Sequence, residues 1–269
     1  MDKLEYELNK WRDYSGALGF VKPEHAEKDY LQELLLFELY SGRLRAALLF
    51  RGGTAISKFY GSGRFSEDID LILANDVDAS RLGEEIDAAI KRIGLYYPLE
   101  SKKVLYRNMT KYDLKIKGPI YFVANNEQAK QSIKIDLNTY ERPQAQPNNT
   151  YRIPVYEDLK PYNLLVATKE ELLADKIKAI VERTSPVARD LYDAWLLIRK
   201  YGIKPNLAMV EKKIFEYGKQ KGERFSTKDL RSRIEQIGDI WDTELSRLMK
   251  AVPDYKSVKK EFEDAIAAH

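Results

Sequence analysis

The chain contains no cysteine, which excludes disulfides, thiolate zinc sites and a cysteine nucleophile. It contains two histidines, His25 and His269, far apart in sequence. Imidazole base chemistry and histidine-rich metal sites therefore have little to build on. No apolar run approaches the length that crosses a bilayer. The opening stretch MDKLEYELNKWRDY is charged and lacks the apolar block of a signal peptide. The expectation is a soluble, cytoplasmic protein with no membrane contact. Neither charge sign dominates: 45 Lys and Arg against 42 Asp and Glu leave a net charge of +3. A nucleic-acid role must then rest on local clusters rather than on overall charge.

What is present is enough for a sizeable core: 44% of 269 residues are hydrophobic, room for one large domain or two modest ones. Pro23 opens a helix over 23–41, with Leu31, Leu35 and Leu39 on one face. Residues 46–50 read as a buried strand ending at Arg51-Gly52-Gly53, and 54–60 as the first turns of a helix. Residues 68–73 alternate as a strand, and 79–93 form a helix closed by Gly94. From about 97 to 138 the segments VLYRNM, YDLKIKG, PIYFVA and SIKIDLN are short and β-rich. Residues 142–154, with three prolines, read as a loop or linker. Thr168 to Glu171 matches a capping box, and Ser185-Pro186 can cap the helix that follows. The expected layout is an α/β domain over 1–158 with a mixed sheet, then a helical domain over 159–269.

The chemistry concentrates in FRGGTAISK and RFSEDIDL. On a strand, Asp68 and Asp70 are i and i+2 and share a face. Two such carboxylates repel each other, and a divalent cation resolves the conflict; the alternative is a pair of solvated acids. Gly52 and Gly53 sit between strand and helix, where backbone N–H groups can approach a phosphate. Thr54, Ser57 and Lys58 lie within the next turns and are further candidates for a triphosphate. The alternative is a tight turn without ligand. In IKIDL, Asp136 faces away from the apolar positions and offers a third carboxylate, provided its strand adjoins the first; otherwise it is an exposed acid.

These motifs resemble the nucleotidyltransferase-type toxins of the AbiEii/AbiGii family, the toxin half of type IV toxin–antitoxin pairs within the polymerase β superfamily. The later segment LLADKIKAIVERTSPVARDLYD resembles that family's K-x-x-A-x-x-x-R motif followed by R-D-x-x-D. The resemblance covers roughly residues 45–200. It implies a polymerase β-like fold, metal ligation by Asp68 and Asp70, less firmly by Asp136, and phosphate contact from the Gly52–Lys58 turn. It also implies functional roles for Lys176 and for Asp190 or Asp193. Lys176 and Arg183 lie two helical turns apart on one face, and Asp190 and Asp193 are i, i+3 neighbours. Without the resemblance these charges would read as a salt-bridged seam between two helices; the roles of Arg183, Arg189 and Asp190 stay open.

The implied activity is Mg²⁺- or Mn²⁺-dependent transfer of a nucleotidyl group from an NTP to an acceptor hydroxyl. RNA, in particular the 3′ end of tRNA, is the expected acceptor, and a cognate antitoxin the expected partner. A protein or small-molecule acceptor is one alternative, and a non-catalytic nucleotide-binding regulator another. Lys102, Lys103, Arg107, Lys111, Lys115 and Lys117 could follow an RNA backbone, or merely protect a sheet edge. Tyr140, Tyr151, Tyr156, Tyr162 and Tyr192 could stack bases, although most tyrosines serve packing.

Overall fold

The computed structural model describes residues 3–75, 79–218, 222 and 224–268; His269 lies outside them. Two helices open the chain, α1 (Lys3–Leu18) and α2 (Pro23–Tyr40). Then follow β1 (Leu48–Arg51), α3 (Gly52–Tyr60), β2 (Ile69–Leu73) and α4 (Ala79–Tyr96). A hairpin of β3 (Leu99–Tyr106) and β4 (Met109–Ile116) leads through α5 (Pro119–Ala124) into β5 (Gln131–Asn138). The strands β6 (Asn148–Arg152) and β7 (Tyr162–Val166) complete the sheet. The rest is helical: α6 (Lys169–Glu182), α7 (Ala188–Tyr201), α8 (Leu207–Tyr217), α9 (Thr227–Gly238), α10 (Trp241–Leu245) and α11 (Tyr255–Ala267).

The seven strands lie in the order β3-β4-β5-β2-β1-β7-β6. The sheet is mixed, with β2–β5 and β1–β7 parallel and the other neighbours antiparallel. Alternation assigns the faces. Ile133, Ile135 and Leu137 of β5 are buried, as are Tyr112, Leu114 and Ile116 of β4. On that side lies α2, with α4 packed on it, contributing Leu31, Leu35, Ile86 and Ile90 to the core. The opposite face carries Lys111, Asp113, Lys134, Asp136 and Asn138, and it is there that the site forms.

Several expectations change. The segment PIYFVA is helical. Pro119 occupies a first-turn position, where its missing N–H costs nothing, and buried Glu27 accepts the Ile120 N–H at 2.6 Å. Part of the expected linker is edge strand β6, paired with β7. Because β7 lies inside the sheet beside β1, the sheet continues past residue 158 and the helical part begins at α6. Helix α4 runs through Gly94 to Tyr96. Thr168 does cap α6, accepting the Glu171 N–H at 3.2 Å. Helix α7 has no serine cap: its N-cap residue is Val187, and the Ala188 N–H is accepted by Glu244 at 2.8 Å. Among the described residues no helix is long and apolar enough to cross a membrane.

Candidate active site

The register of the sheet builds the site in rungs. Asp70 of β2 is the direct partner of Asp136 on β5, which in turn faces Lys111 on β4. One step of two residues along the strands, Ile72, Asn138 and Met109 form the next rung. Asp68 immediately precedes β2. Asp68, Asp70 and Asp136 all line one cavity of about 220 Å³. A second cavity, about 230 Å³, shares Gly53, Asp70, Asp136, Lys176 and Arg183 with the first.

This placement strains the carboxylates electrostatically. Burial pushes the Asp70 carboxyl up to about 6; Arg51 and Lys176 pull it down, while Asp68 and Asp136 push it further up. Asp68, closer to solvent, is also raised, chiefly by desolvation, with Lys134 opposing. Asp136 Oδ2 accepts from Lys111 at 3.1 Å, whereas its buried Oδ1 has no hydrogen-bond partner. An orphaned carboxylate oxygen beside two further carboxylates is a donor set suited to a hard divalent cation. Among the described residues no three carboxylate or imidazole groups converge closely enough to enclose a metal alone. Mg²⁺ completes a partial set of carboxylates with water and phosphate oxygens. Asp68, Asp70 and Asp136 would hold it.

The strand-to-helix turn fits against this centre. Gly52 has φ +78°, and a Cβ there would stand 2.0 Å from Asp70 Oδ2, so only glycine permits the turn. A Cβ at Gly53 would stand 2.5 Å from an Arg64 guanidinium nitrogen. Thr54 is buried and donates to the Asp68 carbonyl at 2.5 Å, thereby fixing the backbone of the first carboxylate. Ser57 and Lys58 do not line either cavity. Ser57 donates to the Arg64 carbonyl at 2.8 Å. Lys58 is buried on the far side of α3, paired with Asp29 at 2.6 Å and Glu33 at 3.1 Å; its ammonium is committed to neutralising α2. The phosphate-binding expectation for these two gives way to structural roles.

The opposite wall comes from α6 and α7. Lys176 lines both cavities together with Asp70, and it is also paired with Asp190 and Asp193, each at 2.9 Å. The cleft and the salt-bridged seam thus coexist. Asp193, expected to be catalytic, is fully buried and lines neither cavity; it receives two hydrogen bonds from Arg64, at 2.7 and 2.5 Å. Asp190 also accepts from Arg183 at 2.5 Å. Arg183 and Arg189 complete the basic wall of the first cavity; Arg189 is steadied by Glu244 at 3.2 Å.

Sequence reasoning leaves out Arg64, Asn138 and a buried network that joins sheet to helices. In that network Arg51 pairs with Glu141 at 2.5 Å and Asp175 at 2.9 Å. Asp175 pairs in turn with Lys213 at 2.7 Å, which also contacts Glu171. Asn138 alone had a usable signal: it lies two residues past Asp136 on an alternating strand. The tyrosines are mostly structural, with Tyr156 donating to Ala26 and Tyr162 to Glu33.

Strand-borne carboxylates in register, a glycine turn against them and a basic helical wall opposite define a nucleotidyltransferase. The profile of the family described as "Nucleotidyl transferase AbiEii toxin, Type IV TA system" matches residues 34–268, and the chain belongs to that family. Solved structures agree on the fold. MenT4, a nucleotidyltransferase toxin from Mycobacterium tuberculosis, superposes with a TM-score of 0.63 at 14% identity, covering 97% of this chain and 88% of that one. A putative nucleotidyltransferase from H. pylori gives 0.53 at 18% identity, covering 92% and 95%. JHP933 from Helicobacter pylori gives 0.52 at 19% identity, covering 91% and 90%. No curated protein sequence matches the chain.

Proposed function

We propose that this nucleotidyltransferase uses a divalent cation to move a nucleotidyl group from an NTP to an RNA hydroxyl, with the 3′ end of tRNA as acceptor, as the toxin of a toxin–antitoxin pair. The observation that carries the reading is the Asp70–Asp136 pair in register, with Asp136 Oδ1 unpartnered and Lys176 across the same cavity. In the transfer, the acceptor hydroxyl gives up its proton to solvent, its oxygen bonds to the α-phosphorus and the bond to the bridging oxygen breaks, releasing pyrophosphate. Mg²⁺ or Mn²⁺, when bound, supplies charge neutralisation and acidifies the acceptor hydroxyl. Lys176, Arg183 and Arg189 offset the charge of the leaving pyrophosphate. The N–H groups at the start of α3, bared by Gly52 and Gly53, favour an anion there.

RNA as acceptor is supported by the charges beside Asp136. Lys102, Lys111 and Lys115 share the open face of the hairpin with Lys134, as their cross-strand partners require. Lys103 points to the other side, where it pairs with Asp87 at 2.8 Å, and Lys117 sits over the Tyr121 ring. The test is incubation with each labelled NTP, Mg²⁺ and total cellular RNA, alongside Asp70→Asn. Label on RNA with the unaltered chain alone is the expected result. Label only on protein or a metabolite would overturn the RNA acceptor and leave nucleotidyl transfer standing.

A further inference from the structure

The second cavity differs in character from the first. Its floor is the rung Ile72–Asn138–Met109, which lies about 7 Å along the sheet from the Asp70–Asp136 rung. Its roof is α6, which lines the cavity through Asp175, Lys176 and the small side chain of Ala179. Arg51 and Glu141 at its end neutralise each other at 2.5 Å. The result is a slot with an apolar stretch formed by Leu71, Ile72, Met109 and Ala179, set among charged side chains and opening onto Asp70 and Asp136.

One polar group in it is preset. Asn138 Oδ1 accepts the N–H groups of Tyr140 at 2.9 Å and Glu141 at 3.0 Å. Both bonds demand oxygen at that position, so the orientation of the amide is decided by the backbone. Asn138 lines the cavity, and its amide NH₂ makes no hydrogen bond among the described residues.

We infer that this slot holds the base of the incoming NTP, and that Asn138 is a specificity-determining residue whose fixed NH₂ reads an acceptor on the base edge. This rests on the nucleotidyl-transfer reading, since the triphosphate must lie against Lys176 and Arg183 for the base to reach the slot. A base offers two apolar faces and a polar edge, which suits an apolar stretch with one oriented donor. The Arg51 end of the slot, paired with both Glu141 and Asp175, carries two acids for one cation and so does not favour a further phosphate there. Met109 adds a polarizable surface against the ring.

Two variants separate the groups involved. Asn138→Asp keeps an oxygen for the Tyr140 and Glu141 amides, removes the donor and adds a negative charge that weakens all four NTPs alike, so the readout is their ranking rather than absolute affinity. Ala179→Leu fills the roof of the slot from a partly exposed position. Calorimetry on the full chain with Mg²⁺ would compare the four NTPs with inorganic tripolyphosphate. Asn138→Asp should change the ranking of the four, with the favoured NTP losing about tenfold in affinity relative to the others. Ala179→Leu should weaken all four NTPs by at least about tenfold and leave tripolyphosphate within about twofold. Equal binding of all four NTPs by the unaltered chain, or an unchanged ranking in Asn138→Asp, would overturn the base slot while nucleotidyl transfer survives. If the unaltered chain binds neither NTP nor tripolyphosphate, the transfer reading fails and the slot with it.

Discussion

Arg64 and Asp193 hold each other through two hydrogen bonds across 129 residues of chain, both side chains essentially without solvent contact. Asp193 also bonds Lys176, so the loop before β2 fixes the ammonium that faces Asp70. Removing one member of a buried pair strands the other charge. Arg64→Ala should therefore cost about 3–5 kcal/mol of stability, read from urea unfolding, and turnover should fall in the folded fraction. A loss under about 1 kcal/mol would mean that the pair adds little to either.

Asp70→Asn should separate activity from stability. With its carboxyl raised to about 6, Asp70 binds its proton more tightly in the folded chain than in the unfolded one. Stability from this group is present in acid and is lost as pH rises through about 6. Above that, the ionised carboxylate opposes folding. The amide variant should be more stable at pH 8 by on the order of 1–2 kcal/mol, after discounting for solvent access, and at least about 100-fold slower in transfer. Lower stability at pH 8 would show that the carboxylates are not in electrostatic conflict.

The same proton competes with metal. A cation at Asp70 must displace it, so Mn²⁺ affinity, measured by electron paramagnetic resonance, should fall by up to about tenfold per pH unit below about 6. A flat profile between pH 5 and 8 would remove Asp70 from the ligand set.

The glycines should differ. Gly52→Ala places a methyl against Asp70 in a left-handed backbone conformation, costing about 1–2 kcal/mol in strain and displacing the Asp70 carboxylate. Gly53→Val meets the buried Arg64 guanidinium, which its bonds to Asp193 keep from yielding. Its effect should fall on stability as well as turnover, by about 1–3 kcal/mol. Thermal melts that are unchanged for Gly53→Val would contradict that clash.

For RNA, the decisive comparison is between faces of one hairpin. Neutralising Lys102, Lys111 and Lys134 together should flatten the salt dependence of RNA binding by roughly one unit of slope for each phosphate that the protein no longer neutralises. Lys103→Ala should leave it unchanged. Equal effects from both would point to nonspecific charge.

The local parts of the site are legible in the sequence. Asp70 sits on a strand, Gly52 and Gly53 punctuate a turn, and IKIDL alternates, so the faces of Asp70 and Asp136 follow from period two; Asp68, expected on the same strand, lies just ahead of it. Their meeting does not follow, because β2 and β5 pair in parallel only after β3, β4 and α5 have intervened. PIYFVA carries strand-forming residues, and its helix is supported by Glu27, a residue 93 positions away. Lys58 misleads because a cation shortly after a glycine turn suits a phosphate, whereas α2 presents Asp29 and Glu33, two buried acids that need it. Propensity and motif act over a few residues; these outcomes depend on partners from other elements.

The Phe65 N–H, just ahead of the aspartates, is held by the Leu248 carbonyl at 2.8 Å, and α7 is capped by Glu244. This sets an order of events during synthesis, in which the N-terminal part emerges first. Asp68 and Asp70 leave the ribosome long before the residues that brace the loop beside them and the helix facing them. A nascent chain carrying Asp68 and Asp70 therefore has acids without a finished cavity until Glu244 and Leu248 have emerged as well.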